Sequence, residues 1–156
     1  MISNVFDIES LSNLSCRYRV ISEYLVVGGE PSQKDVQILK RQGTVFFINC
    51  LPVREQSWDV FTYVTQQDLN FERLSIERDN GIHLLNALKL QSILNAHAHE
   101  QVFLHCATGN RIGALIAVYQ YYALGRTAKH AISVGEYWGL KDKEKISNML
   151  LEGKLK

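Results

Sequence analysis

Residues 102–119 read VFLHCATGNRIGALIAVY. A run of strand-forming apolar residues stops at His105-Cys106, a short Gly-containing segment ends in Arg111, and an apolar helical run begins behind it. This order predicts a strand, a tight loop and a helix. A thiol is a weak nucleophile until it ionises, and free cysteine has a pKa of about 8.5. A helix N-terminus and a nearby arginine both favour the thiolate. Ala107, Thr108 and Gly109 are small enough to let backbone N–H groups turn inward as an anion cradle. Asn110 adds hydrogen bonding to the loop, and Arg111 can grip two oxygens of an oxyanion. The His105 ring can donate to backbone near the cysteine and fix the loop. The plainer reading makes Cys106 a buried small hydrophobe and Gly109 a tight turn. The ordered set of strand, His-Cys, Gly, Arg and helix favours chemistry.

The flanking chain alternates in the same way. YRVI and YLVVGGE, within 18–30, predict two short strands with a turn at Ser22-Glu23. In PSQKDVQILKRQG, Ser32 is a helix N-cap with Asp35 three residues on, and Gly43 stands where a helix stops. TVFFIN (44–49) is a buried-strand run, and CLPVREQ (50–56) a loop at its C-terminal end. Residues 57–69 carry apolar positions at helical spacing, FERLSIE (71–77) alternates like a strand, and 83–98 is helical. QVFLHC is the next strand. Helices follow over about 110–124, 127–138 and 142–152. Such alternation predicts one α/β domain over residues 1–156, with a mostly parallel central sheet flanked by helices. Ligands of these sheets sit at the C-terminal strand ends, where loops 50–56, 77–82 and 106–111 converge.

Composition narrows the partners. The formal net charge is +1 and charged residues are 21% of the 156. No cationic excess exists to follow a nucleic-acid backbone. The longest near-apolar run, ALIAVYQYYAL at 114–124, is too short to span a bilayer. Cys16, Cys50 and Cys106 are odd in number and far apart, which fits a reducing, cytoplasmic setting rather than a disulfide framework. The N-terminus MISNVFDIES has neither a basic nor an apolar signal region. In NAHAHE, His97 and His99 are two apart and point to different sides of a helix, so no metal site is expected.

HCATGNR resembles the signature loop of cysteine-dependent phosphatases of the dual-specificity superfamily. More narrowly, YLVVGGEPSQKDVQILKRQGTVFFIN and HCATGNRIGALIAVY followed by ALGRTAKHAISVGEYWGLK resemble the opening and closing segments of the bacterial DUF442 phosphatase-like family. The resemblance covers roughly residues 18–140. It implies a cysteine-phosphatase fold, no cofactor, and a phosphorylated protein or small molecule as substrate. It implies Cys106 as nucleophile, with Arg111 and the 107–111 amides binding the phosphoryl group. The superfamily's general acid is an aspartate about one strand-helix unit earlier, and Asp79 in ERDNG fits; Glu77 is second. The residue-level alternative for Asp79 is a turn opened together with Asn80-Gly81. Arg54 and Arg78 either attract an anionic substrate or are solvated rim residues.

Two departures stand out. The superfamily pattern is C-x5-R followed by Ser or Thr; here the loop is C-x4-R, and Ile112 follows the arginine. Rhodanese-like sulfurtransferases also use a six-residue cysteine loop, sized for a persulfide sulfur. A sulfurtransferase and a non-catalytic phosphate-binding module are therefore the rival readings. The helical pattern of RTAKHAISVGEYW favours the phosphatase architecture. Cys50 ends one strand as Cys106 ends another, so the two thiols are either redox partners or Cys50 is an inert core residue.

Overall fold

The computed structural model describes residues 6–156. The N-terminal segment read above for a signal falls partly on residues 1–5, outside the described ones. The chain runs α1 (Ile8–Leu11), β1 (Tyr18–Ser22), β2 (Leu25–Gly28), α2 (Gln33–Arg41), β3 (Phe46–Asn49) and a 3-10 turn at Val53–Glu55. It continues through α3 (Val60–Gln66), β4 (Asn70–Arg73), α4 (Leu84–Ala96), β5 (Val102–His105) and α5 (Asn110–Val118). A π-helical turn (Tyr119–Ala123), α6 (Ala128–Tyr137) and α7 (Lys143–Leu151) complete it.

The five strands lie in the order β1-β2-β5-β3-β4. Only the β1–β2 pair is antiparallel; β2–β5, β5–β3 and β3–β4 are parallel. This is the α/β architecture expected from the alternation. Strand β5 is central, and all four of its residues are buried. A strand covered on both faces must be apolar along its whole length, which is why VFLH shows no polar alternation until its end.

Side-chain period two sorts the strands into two cores. Val102, Leu104 and Cys106 face one core, together with Phe46, Ile48 and Cys50, under residues of α4–α7. Phe47, Phe103 and Val26 face the other, under α1, α2 and α3. Burying Phe103 fully is worth about 1.5–3 kcal/mol. The chain thus delivers Cys106 to the C-terminal end of the most protected strand.

Local chemistry sets the helix starts. Ser32 and Asp35 form a reciprocal capping box on α2. Asp35 is fully buried and also accepts from the Ser15 amide at 2.8 Å and hydroxyl at 2.7 Å. That bond pins the segment before β1 to α2. The FERLSIE reading overran: β4 ends at Arg73, although the Leu74 and Ile76 amides still donate to Asn49 O and Cys50 O along the end of β3. Helix α1 lies in a stretch that gave no periodic signal.

Among the described residues no helix is long and apolar enough to cross a membrane. The NAHAHE histidine has an ordinary explanation. The His97 ring stacks on Phe46 at 3.9 Å and its Nδ1 lies 3.0 Å from Glu100.

Candidate active site

The cysteine loop is held from both sides. The Cys106 amide donates to Gly28 O at 3.2 Å, and the Cys50 amide donates to His105 O at 2.7 Å. Gly109 caps α5 with φ of +95°, a left-handed conformation that a side chain would strain. This turn carries the Gly109 N–H to 3.1 Å from Cys106 Sγ. Cys106 is only 1% exposed. Among the described residues, the amides of Ala107, Thr108, Arg111 and Ile112 take no hydrogen-bond partner. Unpaired N–H groups at a helix start are what an anion needs.

Arg111 is 6% exposed and is gripped by a residue the sequence reading missed. Its Nη1 donates to Glu55 Oε2 at 3.1 Å and to Ile76 O at 2.8 Å, and its Nη2 donates to Glu55 Oε1 at 2.5 Å. A guanidinium has five N–H donors. With these three used, the free ones are Nε–H and one N–H of Nη2, which share an edge. That edge is a ready fork for two oxygens of one anion. Hydrogen bonding to Arg111 is the main cause that holds the Glu55 carboxyl below its ordinary range, against desolvation. Arg78 stands 3.7 Å from the same carboxylate. Glu55 was legible in one respect: an arginine buried beside a cysteine needs a counter-charge, and loop 50–56 holds one acid.

Asp79 is exposed, in the turn that follows β4. It lines the same pocket as Cys106, Ala107, Thr108, Asn110 and Arg111, a cavity of about 290 Å³. Its carboxylate has no hydrogen bond or ion pair among the described residues. The turn is closed instead by Gly81 N donating to Glu77 O at 3.0 Å and by Asn86 Nδ2 donating to Gly81 O at 2.8 Å. Asp79 is therefore not engaged as the turn's side-chain brace. Glu77 is paired with Arg54, whose hydrogen bond holds its carboxyl below the usual range, so it is a poor proton donor. The Arg54–Glu77 pair lies on a neighbouring rim hollow, while Arg78 reaches the cysteine pocket.

Other expected residues take different roles. Asn110 ties the loop to the start of α7: its Oδ1 accepts from the Lys141 amide at 2.7 Å and its Nδ2 donates to Asp142 at 3.2 Å. Thr108 is exposed and its hydroxyl accepts from the Asn110 amide at 3.5 Å. Ile112, which occupies the place of the superfamily's hydroxyl, is fully buried. The His105 ring sits in the core beside the Cys106 backbone. It is completely buried and stacked against Phe103 at 5.4 Å, and neither nitrogen makes a hydrogen bond of ordinary geometry. Burial, then the Arg73 charge, push its pKa down to about 3, and the Cys106 backbone opposes this. The ring is a neutral wedge under the loop.

The pocket's far wall also escaped the sequence reading. Ile82, Ala114, Ile146, Met149 and Leu155 give it an apolar side, with Lys145 and Asp142 on its lip. This wall exists because the C-terminal residues fold back: the Leu84 amide donates to Leu155 O at 2.9 Å.

No protein-family model matches the chain, and no curated protein does. Solved structures do. A DUF442 protein from Shewanella putrefaciens CN-32, assigned as a phosphatase, superposes with a TM-score of 0.68 at 16% identity, covering 96% of this chain and 99% of that one. Tk-PTP in its active form gives 0.67 at 12% identity, covering 86% and 96%. TpbA from P. aeruginosa in complex with pTyr gives 0.66 at 18% identity, covering 88% and 83%.

The fold is that of the cysteine-dependent phosphatases. Within that fold the rival sulfurtransferase architecture loses its ground, since three helical segments and no strand follow α5.

Proposed function

We propose that this chain is a cysteine-dependent phosphatase that hydrolyses phosphomonoesters through a cysteinyl-phosphate intermediate. The observation that carries the reading is the Arg111 fork, fixed by Glu55 beside Cys106 with two adjacent donors free. The phosphoryl oxygens take that fork and the unpaired amides of the loop. The Cys106 thiolate attacks phosphorus as the P–O bond to the leaving group breaks. Asp79 gives its proton to the departing oxygen. Water then attacks the cysteinyl phosphate, Asp79 takes the water proton, and the S–P bond breaks to return thiolate and free phosphate. Fixed donors aimed at the developing charge supply most of the stabilisation.

The missing hydroxyl after Arg111 has a replacement in this scheme. The Gly109 amide, at 3.1 Å from Sγ, stabilises the thiolate when it leaves. No cofactor is required, because Arg111 and the amides neutralise the charge. The substrate is a phosphorylated protein or a phosphorylated small molecule. The apolar wall of Ile146, Met149 and Leu155 suits a leaving group with aromatic or aliphatic surface.

The six-residue loop favours a second reading, a sulfurtransferase working through a Cys106 persulfide. One side-by-side assay decides: hydrolysis of an aryl phosphate against sulfur transfer from thiosulfate to cyanide. The phosphatase reading expects only the first, lost in Cys106→Ser, while inorganic phosphate still binds that variant. Near-native hydrolysis by Cys106→Ser would end the covalent mechanism. Sulfur transfer without hydrolysis would install the rival.

A further inference from the structure

A second hollow, of about 510 Å³, lies on the β1 side of the cysteine loop. Thr108 lines both it and the catalytic pocket, so the two meet at the loop. Its rim carries Arg17, Arg19 and Lys141, its walls include Tyr18 and Trp138, and no acidic side chain lines it. All three cations are exposed. None makes a side-chain hydrogen bond or an ion pair among the described residues.

The contrast with the opposite rim is informative. There Arg54 is paired with Glu77, and Arg78 and Arg111 share Glu55. The chain as a whole is nearly neutral, at +1. Three unpaired cations around one concavity are therefore not a sample of a basic surface. Concave sites lined by one sign of charge concentrate the opposite ion.

The cations are also held in register with the loop. Arg17 O accepts from the Gly29 amide at 2.9 Å. A Cβ on Gly28 would come within 2.5 Å of Arg17 O, and one on Gly29 within 2.6 Å of Ala107 O. Two glycines thus let the Arg17 backbone and the cysteine loop close on the same short segment. Arg19 lies two residues on, on the same side of β1. Lys141 is tied by its amide to Asn110 of the loop.

We infer that this hollow binds a second phosphate carried by the same substrate, beside the one held on the Cys106 loop. The inference rests on that loop being the phosphoryl site. A second dianion would span the Arg17, Arg19 and Lys141 side chains while the first is cleaved, so bisphosphorylated substrates are preferred. The second phosphate comes either from a neighbouring phosphorylated residue of a protein or from a small bisphosphate.

The test measures affinity with Cys106→Ser protein, so turnover does not interfere. One arm uses a phosphotyrosine peptide and a series carrying a second phosphate one to three residues away. The other uses a hexose monophosphate and the corresponding bisphosphate. The proposal expects a tighter complex for at least one bisphosphorylated probe, with a gain of about fivefold per engaged cation at contact distance in water. Arg17→Gln/Arg19→Gln should erase about tenfold or more of that gain and leave monophosphate affinity within about twofold. Lys141→Gln should erase a smaller share, about fivefold, because it removes one charge rather than two, while its backbone bond to Asn110 keeps the loop in place. The arm that shows the gain identifies the source. Equal affinity for mono- and bisphosphates on both arms overturns the proposal alone, as does a gain that survives the double variant. Absence of any phosphate binding overturns the phosphoryl-site reading along with it.

Discussion

Replacing Glu55 by Gln tests whether the Arg111 fork proposed to bind phosphate is built by its counter-ion. The substitution preserves shape and removes one charge. Glu55 now accepts two hydrogen bonds, from Nη1 at 3.1 Å and Nη2 at 2.5 Å. A glutamine can accept one of them, but its amide nitrogen then faces the other guanidinium N–H, donor against donor. Hydrogen bonds to charged groups are worth about 1.5–3 kcal/mol each. Losing one of two, at a largely buried guanidinium, removes about 2 kcal/mol of orienting energy and leaves Arg111 held by one glutamine bond and the Ile76 carbonyl. If the transition state bears that loss, kcat/KM for an aryl phosphate falls about 30-fold, since 1.36 kcal/mol is tenfold. Because Glu55 acts through Arg111, Glu55→Asp should recover part of the rate if the shorter carboxylate still reaches one nitrogen. The pH profile supplies a second readout. The Glu55 carboxyl is held below its ordinary range, so the pair is intact at neutral pH and breaks only as pH falls through that depressed value. The wild-type rate should lose this pair at the acid end, and the Gln variant should lack that limb. An unchanged kcat/KM in Glu55→Gln, in protein of native stability, would refute the reasoning and make the ion pair a structural bystander.

The other expectations are more direct. Asp79→Asn should slow esters with poor leaving groups by about a hundredfold or more, and aryl phosphates with good ones far less; equal slowing of both returns Asp79 to a structural role. His105 has a folded pKa near 3 and an unfolded value near 6.5, so the unfolded chain binds its proton first and stability falls as pH drops below 6.5. Between pH 7 and pH 5 this costs wild type about 2 kcal/mol that His105→Leu should not lose, read by urea denaturation at both pH values; parallel losses in the two proteins would show that the ring is solvated. Cys50 and Cys106 extend adjacent parallel strands past the Asn49–His105 pair and face the same core, so their Cα atoms are about 5 Å apart, inside bridging range. Both thiols are free. Peroxide oxidation of Cys106 to a sulfenic acid should be trapped by Cys50 as a disulfide with loss of water, whereas in Cys50→Ser a second peroxide carries it on to the sulfinic acid, so dithiothreitol restores wild type but not the variant; equal recovery of both removes the switch.

What the sequence disclosed follows its periodicities. Strand β5 and helix α5 were legible because full burial makes VFLH and IGALIAVY apolar throughout, and a Gly-containing break separates them. Helix α2 was legible to the residue because Ser32, Asp35 and Gly43 are all punctuation. The site's Glu55 was not. Its neighbour Arg54 drew attention as a charge on the same loop, yet Arg54 is solvent-facing and Glu55 turns inward. One residue of phase in a 3-10 turn decides that, and no hydrophobic pattern reports it. The apolar wall was hidden for a different reason. Ile146, Met149 and Leu155 lie in the last helix and just beyond it, and only the packing of α7 on α6 and the Leu84–Leu155 bond turn them into a pocket wall. His105 showed in the sequence only as a polar ring beside a cysteine; strand alternation sends that ring into the core opposite the thiol, where burial governs its charge.

The length of the loop can be weighed against its donors. A phosphoryl group presents three non-bridging oxygens, with about six acceptor sites by the two-lone-pair count. A terminal persulfide sulfur asks for far less. The short loop loses one amide relative to C-x5-R, and the Gly109 amide is committed to Sγ. What is left is the amides of Ala107, Thr108, Arg111 and Ile112, together with the free Nε and Nη2 donors of Arg111. That set matches the acceptor count of a phosphoryl group without the missing residue. It does so only because Glu55 turns the guanidinium so that two donors stay on one edge. A persulfide site has no use for a fork fixed in this way. A loop sized like a sulfurtransferase's but armed with a braced arginine thus argues for an oxyanion, and the cost of the shorter loop falls on Glu55.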